Sequence, residues 1–299
     1  MSFPYLQDLV RAATGLDLPL PLPTFGLCVL GAVAASLYVA KIEVKRRHEA
    51  GQIGSGTRRV KKDGQRIEVS VPPQDLVVDF GLIAVIAGII GARIFSMGEQ
   101  PHEFFAAPWQ MIFSRQGFNF LGGWVFGVVA GLLYFRRHRL PVLATCDAFA
   151  PAMMLGYALG RIGCELSGDG DWGIAANLAL KPHWIPTWAW AQTYDHNIVG
   201  IVIPPPGVYP APLYEILMGL ALFALLWSLR KLPLRPGLLF SVYLVLCGLE
   251  RSAIELIRVN PTMSLFGLEV TQAQIIAAAL IVLGAIGLAV FSRPQRAPR

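Results

Sequence analysis

Charged residues are scarce in this chain. Only 15% of its 299 residues are Asp, Glu, Lys or Arg, 55% are hydrophobic, and the mean hydropathy is +0.54. A soluble domain carries about a quarter charged residues, so an ordinary water-soluble globule is excluded. Cysteine is sparse too. Cys28, Cys146, Cys164 and Cys247 lie in apolar or helix-end positions, without the paired spacings of a disulfide framework or a zinc site, and read as buried free thiols. The histidines (His48, His102, His138, His183, His196) fall in loops without metal-ligand spacing, and no glycine-rich phosphate loop is present. A DGD run at 169–171 lacks the remaining ligands and closing glutamate of a calcium loop. No metal or cofactor is expected. A cleavable signal is missing as well: MSFPYLQDLVRAATGLDL has neither a basic start nor a continuous apolar core, so the first apolar helix is expected to stay in the mature protein.

What the chain has in abundance is long apolar runs. Several reach the roughly 17 to 25 residues that cross a bilayer, which implies an all-α polytopic membrane protein with about seven transmembrane helices. One transmembrane domain over residues 1–299 is expected, with spans near 22–41, 76–97, 119–135, 141–164, 211–229, 237–257 and 271–291. A basic loop, 42–75, separates the first two spans. Between the fourth and fifth lies a segment, 165–210, whose Trp and Tyr density suits a surface-lying excursion in the headgroup layer. The loops after the first, third and fifth spans and the C-terminal tail hold eighteen basic residues, against Arg11, Arg115, Lys181 and Arg258 on the other side. The positive-inside rule then makes 42–75 and the C-terminus cytoplasmic and the N-terminus and 165–210 periplasmic.

Three further arginines, Arg93, Arg161 and Arg251, lie inside apolar helices, where a charge must face protein, water or a bound anion. On the expected topology each sits about one to two turns below the outer surface, at the depth of Glu215. Glu255 lies four residues after Arg251, and Arg258 three beyond that, so the three are expected to share a helix face. One reading is a structural ion-pair network tying helix ends together. The other is an anionic headgroup site, because guanidinium forks bind phosphate bidentately and more strongly where water is scarce. A cavity for a phospholipid entering sideways from the outer leaflet fits the charge and the depth.

At these residues the chain resembles the prolipoprotein diacylglyceryl transferases, seven-helix enzymes of the bacterial inner membrane. The matching pieces occur in order: GARIF (91–95), FLGG (120–123), LGRIG (159–163), PAPLYE (210–215) and ERSAIELIRVNP (250–261). The resemblance implies transfer of the diacylglyceryl group of phosphatidylglycerol to the lipobox cysteine thiol of a preprolipoprotein, with release of glycerol 1-phosphate. It implies that Arg161 and Arg251 are essential, with Glu255 and Glu215 as their acidic partners. It also departs from the family at three places. Leu121 stands where His or Tyr is common, Phe25 where a tyrosine is usual, and Cys164 replaces the asparagine of the GRIGN signature, leaving Asp169 or Asp171 in the place of its glutamate.

The chemistry is displacement at carbon by a thiolate while a phosphomonoester leaves with growing negative charge, so cations at the leaving group are the main requirement. Arg161, Arg251 and Glu255 are the expected catalytic residues. Arg93, Gly163, Cys164, Asp169, Asp171, Glu215 and Arg258 are expected to bind substrate. Asp169, Asp171 and Glu165 are the available proton acceptors. Two other functions use the same arginines: a same-fold paralogue with a different acceptor, and a non-enzymatic protein that binds or transports phospholipid.

Overall fold

A computed structural model describes residues 2–17, 19, 21–62, 65–113, 119–265 and 267–292. Arg115, Arg293, Arg296 and Arg299, which enter the charge asymmetry, lie outside the described residues. The order of elements is α1 (Leu6–Thr14), α2 (Thr24–Glu49), β1 (Gly56–Lys62), β2 (Gln65–Val71), α3 (Val77–Glu99), α4 (Pro101–Ala106) and α5 (Pro108–Phe113). Then follow α6 (Phe120–Arg137), α7 (Val142–Ser167), α8 (Ala211–Leu229), α9 (Leu238–Ile254), β3 (Thr262–Leu265), β4 (Leu268–Thr271) and α10 (Gln272–Phe291).

Five helical stretches are long and apolar enough to cross a membrane: α2, α3 with the turn before it, α7, α8 and α10, at mean hydropathies of 1.5 to 2.5. Their outward faces agree with that. Val282, Leu283, Ile286 and Val290 of α10 are each more than half exposed, and in water each would forgo about 1.5–3 kcal/mol of burial. Helices α6 and α9, also expected to span, are shorter, at 18 and 17 residues.

Several boundaries differ from the sequence reading. Helix α2 continues to Glu49, so the first part of the 42–75 segment is helical and His48 lies in its last turn. No glycine or proline occurs between Lys41 and Gly51, and Glu43 accepts from Arg46 Nη2 (2.6 Å) and Arg47 Nε (3.0 Å), at the i+3 and i+4 spacings that stabilise a helix. His102 is in α4 rather than in a loop. Strands β1 and β2 pair antiparallel with Val60 opposite Ile67, and β3 and β4 pair antiparallel with Met263 opposite Val270.

The chain divides into two compact units, Met1–Val39 with Phe149–Arg299, and Ala40–Ala148. In the second, α3 and α6 pack closely because Gly91 and Gly122 face each other. A Cβ on Gly91 would meet Gly122 O and Phe126 Cγ at 2.5 Å, and small residues of this kind let helices approach where lipid gives no hydrophobic drive. In the first, Met154 of α7, Leu226 of α8 and Leu239 of α9 are fully buried together, and α9 packs along α10. Residues 168–210 are irregular apart from two short 3-10 turns. They are tied by bridges of Gly173 to Arg258 and of Val208 to both Ala175 and Gln192.

Candidate active site

The first unit gathers its charged side chains from α7, α8, the end of α9 and the turn after α7. Glu215, one turn into α8, is fully buried. Its Oε1 lies 3.1 Å from Arg161 Nη2, 3.5 Å from Arg251 Nη1 and 3.6 Å from Arg258 Nη1, so three guanidiniums converge on one oxygen. Tyr157 Oη, one turn before Arg161, is 3.0 Å from the same atom. The guanidinium of Arg161 also sits 5.4 Å from the centre of the Tyr157 ring, a cation–π contact.

Asp171 closes the cluster from the other side. One of its oxygens pairs with Arg161 Nη1, and the other accepts from Arg258 Nη2 at 2.5 Å. Burial pushes its carboxyl up, but the guanidiniums of Arg161 and Arg258 outweigh burial and hold it below the usual carboxylate range. The same pairing, against the cost of burying a cation, raises Arg258. Asp169 Oδ1 accepts from the backbone N–H of Asp171 at 3.2 Å.

Glu255 is saturated with donors: Arg251 Nη2 at 2.8 Å, Asn260 Nδ2 at 2.8 and 2.9 Å, and Thr271 Oγ1 at 2.5 Å. Thr271 also caps α10 by accepting from Gln274 N, so this hydroxyl ties the helix start to the carboxylate that orients Arg251. Arg258 departs from the expected helix face. Helix α9 ends at Ile254, and Arg258 instead pairs as a strand with Gly173, where a side chain would collide with Ile257 O at 2.7 Å. The arginine still reaches the cluster because the bridge delivers it to Asp171.

Gly163 lies outside the charged cluster and packs α7 on α2. A Cβ there would come to 3.1 Å from Cys28 Cβ and 3.2 Å from the Phe25 ring. Cys164 is buried and its Sγ accepts from Arg161 Nη1 at 3.5 Å. Arg93 belongs to the other unit, where its Nε donates to Ile112 O at 3.2 Å. Cys164, Asp169 and Asp171 bring ligand atoms within 4.8 Å of one another. Two guanidiniums already occupy Asp171 and one touches Cys164, so positive charge stands where a cation would sit.

Sequence reasoning did not single out Tyr157, Glu250, Asn260 and Thr271 as members of this network. Nor did it single out the pair that anchors the 165–210 segment: Gln192 Nε2 and Tyr194 Oη donate to Glu165 at 2.7 and 2.8 Å. Burial and the Glu165 carboxylate push the Tyr194 hydroxyl well up, so it stays a donor. Glu250 and Asn260 stand inside the ERSAIELIRVNP stretch, which was a signal for them; Tyr157 and Thr271 had none.

Among the described residues, three buried atoms of this cluster lack a hydrogen-bond partner: Glu215 Oε2, Arg258 Nε and Arg258 Nη1. An apolar cavity of about 360 Å³ lies next to it, lined by Trp190, Tyr209, Tyr214, Met218, Ala253 and Ile257.

The family model described as prolipoprotein diacylglyceryl transferase matches residues 12–290. The chain belongs to that family. A Bacillus cytotoxicus phosphatidylglycerol–prolipoprotein diacylglyceryl transferase is 30% identical over 239 residues, 80% of this chain and 83% of that one. The enzyme of the same description from Corynebacterium diphtheriae is 25% identical over 282 residues, 90% of this chain and 88% of that one. A Streptomyces coelicolor protein described as phosphatidylglycerol–prolipoprotein diacylglyceryl transferase 2 is 26% identical over 281 residues.

Proposed function

We propose that this chain is a phosphatidylglycerol–prolipoprotein diacylglyceryl transferase, moving a diacylglyceryl group onto the lipobox cysteine of a preprolipoprotein beside its signal peptide. The observation that carries the reading is the unsatisfied donors of Arg258, in a cluster where Arg161 and Arg251 are only about a fifth exposed. Buried guanidinium donors without partners cost free energy unless an acceptor arrives, and a phosphate diester supplies acceptor oxygens of the right charge.

The thiolate sulfur attacks the glycerol carbon that bears the phosphate ester, the carbon–oxygen bond breaks, and glycerol 1-phosphate leaves with its bonding pair. Arg161, Arg251 and Arg258 neutralise the charge that grows on the leaving oxygen. Glu255 holds Arg251 in place. Glu215, with Oε2 unpartnered, and Asp169 are the acceptors for the thiol proton. The aromatic-lined cavity suits an acyl chain of the lipid.

The proposed setting is the bacterial inner membrane with about seven spans, α6 and α9 included, the N-terminus and 165–210 periplasmic, and 42–75 and the C-terminus cytoplasmic. The basic asymmetry supports that orientation.

The test is transfer of label from acyl-labelled phosphatidylglycerol to a lipobox peptide by the purified protein. Transfer to a cysteine peptide and none to its serine counterpart is expected. Arg251→Lys is expected to lose transfer, because lysine keeps the charge and not the planar fork. Binding of the lipid without transfer by the unaltered chain would overturn the enzymatic reading.

A further inference from the structure

The hydroxyl of Tyr157 lies between two buried carboxyl groups, Glu215 Oε1 at 3.0 Å and Glu250 Oε1 at 2.9 Å. A phenol has one hydrogen to donate. Were both carboxyls ionised, one of these contacts would set a carboxylate oxygen against a hydroxyl lone pair with no hydrogen between them, a costly arrangement away from water. One carboxyl therefore carries a proton.

Glu215 is not that group, since its Oε1 already faces three guanidiniums at 3.1 to 3.6 Å. Glu250 has no guanidinium within ion-pair distance among the described residues. The cluster's three arginines are matched by the three carboxylates paired with them, Glu215, Glu255 and Asp171. The groups that face Glu250 are Tyr157 and Arg161 from α7, Glu215 from α8, and Cys247 and Arg251 from its own helix. Helix α10, packed along α9, brings no titratable side chain.

We infer that Glu250 is held as the neutral acid and donates to Tyr157 Oη, which donates to Glu215 Oε1, so that Glu250 and Tyr157 position the carboxylate on which the arginines converge. This role is not catalytic. The relay fixes which way the Tyr157 hydrogen points, and so keeps Glu215 Oε1 facing the guanidiniums. It rests on the transferase reading only for its kinetic arm.

Two measurements test it. The infrared difference spectrum between the unaltered protein and Glu250→Gln, in lipid at neutral pH, is expected to show the loss of a neutral-carboxyl C=O stretch. Loss of carboxylate bands instead would overturn the assignment. In the transfer assay Glu250→Gln, whose amide N–H donates to Tyr157 as the acid does, is expected to stay within about threefold of the parent. Glu250→Ala and Tyr157→Phe, which break the relay, are expected to lower kcat/KM by about tenfold or more. A Gln variant as impaired as the Ala variant would overturn the positioning role. A parent that transfers nothing but shows the neutral-acid band would overturn the transferase reading and leave the proton assignment standing.

Discussion

Each compact unit contains a buried arginine–carboxylate cluster, and the two differ in what their arginines have left over. In the unit Ala40–Ala148, Glu43 and Asp147 are fully buried, and Arg47 pairs with both, at 3.0 and 3.6 Å, while Arg46 joins Glu43 at 2.6 Å. None of these side chains has a buried atom lacking a partner among the described residues. In the other unit three guanidiniums crowd one oxygen of Glu215, and two nitrogens of Arg258 stay without a hydrogen bond. Helix α7 supplies Asp147 to one cluster and Arg161 to the other. The same residue types thus make a fully hydrogen-bonded knot in one place and, in the other, a charge-paired cluster in which two buried Arg258 donors have no hydrogen bond.

The largest effect that would sharpen this contrast is Arg161→Ala. It removes the guanidinium that bridges Glu215 and Asp171, and transfer is expected to fall by at least about a hundredfold with the folded protein retained in the membrane. Asp147→Ala should do the opposite. Breaking a buried pair by deleting one partner costs about 3–5 kcal/mol of stability, read as a lowered denaturation midpoint in detergent, while turnover per folded molecule stays near the parent. If Asp147→Ala lowered turnover of the folded fraction as far as Arg161→Ala, the division between knot and site would fail.

Only one side of this contrast was legible in the sequence: Arg161, Arg251 and Glu215 were singled out, whereas the knot of Glu43, Arg47 and Asp147 was not, because Arg46 and Arg47 read as part of a basic loop. The apolar runs announced the helices because 3.6-residue packing in lipid needs little else, and α8 begins and ends where expected, since Pro210 and the RKLP run punctuate it. Arg161, Arg251 and Glu215 stood out as charges where charges are expensive, and the structure joins them. What was not legible came from tertiary contact. The end of α9 at Ile254 turns Arg258 off the helix face, and only the bridge to Gly173, 85 residues earlier in the chain by their numbers, explains how it reaches Asp171. Tyr157 is one tyrosine in an apolar helix by sequence, and its meaning lies in α8 and α9. The inward side of Gly163 reads as a motif glycine, yet its neighbours make it a helix-packing position.

A smaller effect separates charge neutralisation from anion binding. Asp171 is a third exposed, so its pairs with Arg161 and Arg258 are partly screened, and Asp171→Asn is expected to cost about 1 kcal/mol or less at neutral pH. The sign of its pH dependence follows from the two guanidiniums, which hold the folded carboxyl below its unfolded value of about 3.9. Its contribution is fully present above that value and is lost as pH falls through the lower, folded one. Thermal denaturation of both proteins from pH 7 to pH 3 should therefore show a gap that narrows toward the acid end. A gap that widened on acidification would contradict the assigned pairing.

The smallest effect is expected at Leu121, in the unit without the open cluster. The resemblance implies His or Tyr at this place, and a histidine there would serve as a base for the thiol. Deprotonating a cysteine of pKa about 8.5 at neutral pH costs only about 2 kcal/mol, and neighbouring arginines lower it further. Stabilising the departing phosphate is the larger demand, and on the proposed mechanism the guanidiniums would meet it without any group at 121. Leu121→His should therefore change turnover at saturating lipid by less than about tenfold, measured as label transferred to a lipobox peptide. A protein inert with leucine and active with histidine would invert the ranking. Thiol activation would then be the limiting demand, and the arginine cluster of the parent chain would be a lipid-binding site that has lost its chemistry.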